Sequence, residues 1–190
     1  MSRSYLNKFI PKLAFDMAIN SAEKIDNIYK PFTVIRERQR SSPVDVASLA
    51  ADFGMEILYK DWSDNLSGAI GKDEKGFFII VNKNHPAVRQ RFTIAHEIAH
   101  FVLHHDQIGS GIRDDWRYRS RISDADERAA NKLAAEILMP ANLLSQVAAE
   151  VVGVSGIHAG AGVSPKYIDD IARKLDVSTT ALAIRLCMPV

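Results

Sequence analysis

The stretch RFTIAHEIAHFVLHH, residues 91–105, decides how this chain is read. Most of it is apolar, yet His96, Glu97 and His100 stand inside it. Polar groups in apolar surroundings cost free energy unless each finds a partner. On a helix of about 3.6 residues per turn, Thr93, His96, Glu97, His100 and His104 fall within about a third of the circumference. Ala95, Ile98, Phe101 and Val102 point elsewhere and make core. The polar groups therefore form one stripe on a helix that is otherwise buried.

His-Glu-x-x-His on a helix is the arrangement expected of a zinc peptidase. Residues i and i+4 are stacked neighbours on one face, so the imidazoles of His96 and His100 can share one Zn²⁺ at about 2.0–2.1 Å. Glu97 projects from the same stripe, placed to take a proton from a water on the metal. With 6 histidines in 190 residues, chance supplies only about 0.01 such patterns.

Catalytic zinc keeps three protein ligands and one open position. His104 cannot be the third, because it lies about 12 Å along the helix axis from His96. His105 points off the stripe. The longer form with glycine and a last histidine is excluded by Leu103 and Asp106. The acidic candidates downstream are Asp106, Asp114, Asp115, Asp124, Asp126, Glu127 and Glu136. In DADERAANKLAAEILMP, Glu127 and Asn131 are four apart on one face, and Ala129, Ala130, Ala134 and Ala135 permit close helix approach. Asn131 could accept the second ring N–H of a ligating histidine. Spacing alone leaves Glu127 open between a ligand and a solvated surface charge.

Working outward, the texture is α+β: a small three-stranded sheet beside a mostly helical body. MEILY, SGAIGK and GFFIIVN read as strands, the last two forming a hairpin across KDEKG. Pro86 opens the histidine helix. Ser123 with Asp126 fits a capping box, and Pro140 ends that helix near Met139. A short helix over 141–151, a Gly- and Ala-rich loop, and helices opening at Ser164-Pro165 and Ser178 complete the chain. Upstream, residues 14–29 read as a helix stopping at Pro31, and the charged run 36–40 reads as a solvated linker. Ser42-Pro43 offers a helix start and Gly54 its stop. Residues 1–42 are thus expected as a helical extension with its linker, and 43–190 as the main domain.

PVDVASLAADFGMEI, the sheet segment ending IIVN, HPAVRQRFTIAHEIAHFVLHH and ERAANKLAAEILMP together resemble the ImmA/IrrE family of zinc metallopeptidases. Four segments stand in the right order over roughly residues 43–140, with a weaker tail in VSTTALAIRL. The resemblance implies a compact, truncated thermolysin-like zincin. It implies Zn²⁺ held by His96, His100 and Glu127, with Glu97 as the catalytic glutamate. It also implies a regulatory endopeptidase acting on a helix-turn-helix transcriptional repressor, in a stress-response or mobile-element switch.

Two readings from other classes stand beside this one. The zinc site could serve capture of a repressor, or a toxin–antitoxin partnership, without proteolysis. Alternatively SPKYIDDIARKLDVSTTALAIRL could be a DNA-binding helix-turn-helix, although residues 164–190 carry a net charge of only about +1 where phosphate contacts need a basic face. The chain's own net charge of +1 likewise speaks against a nucleic-acid binder. RDDWRYRSR holds Trp116, Arg117, Tyr118, Arg119 and Arg121 before the ligand helix, as candidates for oxyanion stabilisation or substrate grip. Cys187, the single cysteine, reads as a buried, inert thiol. No stretch approaches the ~20 apolar residues of a membrane span, and a cytoplasmic protein is expected.

Overall fold

The computed structural model describes residues 22–63, 65–104, 123–153 and 164–188. The chain divides into two compact units between Glu37 and Arg38. Helix α1 (Ala22–Arg38) runs up to and across that division. The second unit holds α2 (Val46–Asp52), strands β1 (Met55–Lys60), β2 (Gly68–Asp73) and β3 (Gly76–Asn82), and α3 (Ala87–His104). It continues with α4 (Asp124–Leu138), α5 (Ala141–Val152), a 3₁₀ turn at Pro165–Tyr167, α6 (Ile168–Leu175) and α7 (Thr179–Arg185). The fold is α+β with one three-stranded sheet, as the sequence leads one to expect. No helix among the described residues is long and apolar enough to cross a membrane.

The sheet order is β1-β3-β2, with β1 parallel and β2 antiparallel to β3. β3 is central, which explains its unbroken apolar run: Ile79, Ile80 and Val81 are all at most 1% exposed. The hairpin turns where Asp73 Oδ1 accepts the N–H groups of Lys75 and Gly76. Gly76 takes φ +133°, a conformation that side chains rarely tolerate. Helix α3 lies against β2 and β3, with Phe101 meeting Phe77 edge-on at 4.9 Å between ring centres. That contact assigns the odd-numbered residues of β3, and their partners Gly68, Ile70 and Lys72 on β2, to the face under α3.

The C-terminal helices bury one apolar face. Ile171, Ala172, Leu175 and Leu182 are at most 2% exposed. Arg91 of α3 donates to the carbonyls of Asp176 and Val44. Arg185 of α7 reaches Glu136 and the carbonyl of Met139. Cys187, expected buried, is exposed, because the chain turns out of α7 there with φ +57°.

Two expectations about the N-terminal part are corrected. Pro31 does not stop its helix; α1 continues through it to Arg38. Proline removes one N–H donor and crowds the preceding turn, but the turns after it keep all their donors and can continue the helix. The run 36–40 is therefore not a solvated linker throughout: Arg38 pairs with Asp52, and buried Gln39 donates to the carbonyls of Glu136 and Ile137. Residues 14–21 of the expected helix lie outside the described residues. Second, α2 is capped by Asp45 and not by Ser42. The Asp45 carboxylate accepts from both Ala47 and Ser48 N–H, satisfying two open donors of the first turn. Ser42 instead donates to the carbonyl of Lys174. The stop at Gly54 holds, with φ +70°.

Candidate metal centre

Helix α3 opens just after Pro86, whose carbonyl accepts from the N–H groups of Arg89 and Gln90. Its middle is enclosed: Thr93, Ile94, Ala95, Glu97, Ile98, Ala99 and His100 are all buried. Helix α4 starts on a complete capping box, in which Ser123 and Asp126 satisfy each other's backbone N–H. The Ser123 hydroxyl, its strongest neighbour, holds the Asp126 carboxyl below the usual 3.8. Glu127 follows in that first turn, where a negative charge also suits the helix dipole.

The two helices pack against each other and bring three side chains to one point. His96 Nε2 and His100 Nε2 are 2.9 Å apart, their rings nearly perpendicular at 85°. Glu127 Oε2 lies 3.4 Å from the first nitrogen and its Oε1 lies 3.5 Å from the second. Tetrahedral zinc with bonds of about 2.0–2.1 Å spaces its donors about 3.3 Å apart. The observed separations bracket that value, and two nitrogens with one carboxylate are a donor set that zinc accepts. The residues present fit the ion.

Of the seven acidic candidates, Glu127 is the one brought to the histidines among the described residues. Glu136 is engaged with Arg185. Asp126 is engaged with Ser123, and its Oδ1 lies 3.7 Å from His104 Nε2. At that distance the two do not hydrogen-bond, and the proximity is invisible in spacing because it joins two helices. Asn131 follows one turn beyond Glu127 on α4 and is exposed. Asp106, Asp114, Asp115, His105 and the Trp116–Arg121 candidates lie outside the described residues.

Glu97 is 6% exposed, and Thr93, one turn earlier on the stripe, is 4% exposed. Both face the edge strand at Gly68. Sequence reading passed over that glycine; its one signal was a glycine inside a strand, which marks close backbone approach.

The His-Glu-x-x-His motif thus lies on a buried helix, and a carboxylate from a second helix converges on its two histidines. Residues 50–187 match the IrrE N-terminal-like domain, and the chain belongs to that peptidase family. It is 32% identical over 123 residues to the radiation response metalloprotease IrrE of Deinococcus deserti, covering 62% of this chain and 40% of that protein. To the protein of the same name from Deinococcus radiodurans it is 26% identical over 166 residues, covering 80% of this chain and 47% of the relative. The chain therefore spans less than half the length of these relatives. Among solved structures, a Mycobacterium tuberculosis transcriptional regulator superposes with a TM-score of 0.54 at 17% identity, over 86% of this chain and 47% of that one, a likeness of fold.

Proposed function

We propose that this chain is a zinc-dependent endopeptidase with a narrow protein substrate. The observation that carries the reading is the convergence of His96, His100 and Glu127 donor atoms within 4.8 Å of one another, with buried Glu97 on the same helix face. Zinc, which His96, His100 and Glu127 would hold, would supply Lewis acidity toward a water and a peptide carbonyl. Glu97 is the proton carrier: its carboxylate takes the proton of the attacking water and hands it to the departing amine. The core around α3 fixes that carboxylate before substrate arrives, so little reorganisation is needed at the moment of reaction.

The substrate we assign is a helix-turn-helix transcriptional repressor, met in the cytoplasm as part of a stress-response switch. The family resemblance supports this, as do the relatives named radiation response metalloproteases. The test is a capture experiment with zinc-loaded Glu97→Gln, which retains the ligands and lacks the base. Captured protein is identified and offered to wild type and variant. Cleavage by wild type alone, lower by about 10²–10⁴ in the variant, supports the reading. A captured protein left whole by both, or cut equally by both, sinks it.

A further inference from the structure

Gly68 opens β2 at the edge of the sheet and is buried under α3. A Cβ placed on it would lie 2.2 Å from Thr93 Cγ2, 2.8 Å from the Ile80 carbonyl oxygen and 3.5 Å from Glu97 Oε1. The first two distances are shorter than any carbon tolerates, so only a hydrogen fits there. Neither neighbour yields easily. Thr93 is buried and its Oγ1 donates to the Arg89 carbonyl at 3.0 Å. The Ile80 oxygen belongs to the central strand, and the strand register is pinned by Asn82 N–H donating to the Ser67 carbonyl at 3.0 Å. The buried Asn82 side chain holds the preceding loop as well, donating to the carbonyls of Ser63 and Leu66. Edge strand and α3 are thus closed onto each other at the turn that carries Glu97.

We propose that Gly68 is a positioning residue for Glu97: its missing side chain lets β2 close on Thr93 and α3, which fixes where the Glu97 carboxylate stands relative to His96 and His100. The proposal rests on the reading of Glu97 as proton carrier. A side chain at 68 pushes the edge strand off Thr93 and the Ile80 carbonyl. The Glu97 carboxylate, 3.5 Å from the added carbon, loses the backbone it stands against, while His96 and His100 stay with α3 and meet Glu127 as before. Gly71 supplies the contrast. A Cβ there would meet the Phe78 ring at 2.5 Å, also a clash, but on the sheet face away from α3.

The test uses zinc itself and acetohydroxamate as probes on the full chain. Acetohydroxamate chelates zinc and needs a nearby carboxylate to accept its acidic proton, so its affinity reports the placement of Glu97. Gly68→Ala is expected to keep zinc affinity within about threefold, and to weaken acetohydroxamate about tenfold, as loss of a hydrogen bond to a charged group does. Adding Glu97→Gln to Gly68→Ala should weaken it no further than Glu97→Gln alone. Gly71→Ala should lower the melting temperature and leave acetohydroxamate affinity unchanged. If Gly68→Ala does not fold, Gly68→Ala with Thr93→Ser takes its place, since serine removes the 2.2 Å clash and keeps a hydroxyl for Arg89. Unchanged acetohydroxamate affinity in the position-68 variants, additive losses with Glu97→Gln, or loss of zinc from both position-68 variants overturns the proposal. If Glu97→Gln binds acetohydroxamate like wild type, the Glu97 reading itself falls and takes the proposal with it. That result is distinct from Gly68→Ala alone being silent.

Discussion

Helix α3 carries His96 and His100 on a segment whose neighbours Ile94, Ala95, Ile98 and Ala99 are at most 3% exposed. Helix α4 carries Glu127 in its first turn, with 40% of that side chain open to solvent. The two deliver donors to the same point by different means. Burial around α3 makes the stripe the one direction its polar groups can take. In α4 the direction is set by the capping box, and by a face of small residues that lets α4 lie close to α3. A ligand in the core is held by everything around it, whereas a ligand at a helix start is held by the cap and the helix contact.

The largest effect expected from this contrast is on metal binding. His100→Ala should weaken zinc by about a thousandfold or more, given the large free energies of such sites, and should also lower the melting temperature of the metal-free protein because a buried side chain is lost. Glu127→Ala should weaken zinc strongly yet leave the metal-free melting temperature within a degree or two. Chelator competition and melting curves read both. Equal melting losses in the two variants would break the contrast.

A smaller effect is expected at the helix contact. Ala130 and Ala134 are 0% exposed and lie on the Glu127 face of α4. Ala134→Leu should cost about 1–3 kcal/mol by overpacking, and zinc affinity should fall with it because Glu127 is carried away from the histidines. Denaturant unfolding with and without zinc measures both. A stability loss with zinc affinity intact would mean that α4 pivots without moving Glu127.

The smallest effect concerns caps, the device that aims α4, and α2 offers it away from the metal. The Ser48 hydroxyl, followed by the backbone N–H groups of Ser48 and Ala47, holds the Asp45 carboxyl below the usual 3.8. A carboxyl lowered in the folded state adds stability above its unfolded value and loses it as pH falls through the folded value. Asp45→Ala should therefore cost about 1 kcal/mol near neutral pH, and the difference from wild type should shrink below about pH 4. A difference that stays constant down to pH 2.5 in urea titrations would show that charge has no part in this cap.

Much of the site was legible in residues 91–105 because helical periodicity is local: a 3.6-residue repeat places His96, Glu97 and His100 on one stripe without reference to the rest of the chain. The strands, the hairpin, the cap at Ser123 and the stop at Pro140 were legible for the same reason. Local signals misled at Pro31, where a helix continued past a proline, and at Ser42, where the nearby Asp45 capped instead. Glu127 as the converging carboxylate, the approach of Asp126 to His104, and the pressing of Gly68 onto Thr93 and Glu97 all join elements distant along the chain. Sequence by itself determined which residues could share a face and which chemistry they carry. Only the tertiary structure decided which carboxylate meets the histidines and which backbone seats Glu97, because those distances depend on how helices and sheet pack, and packing is set by the whole core at once.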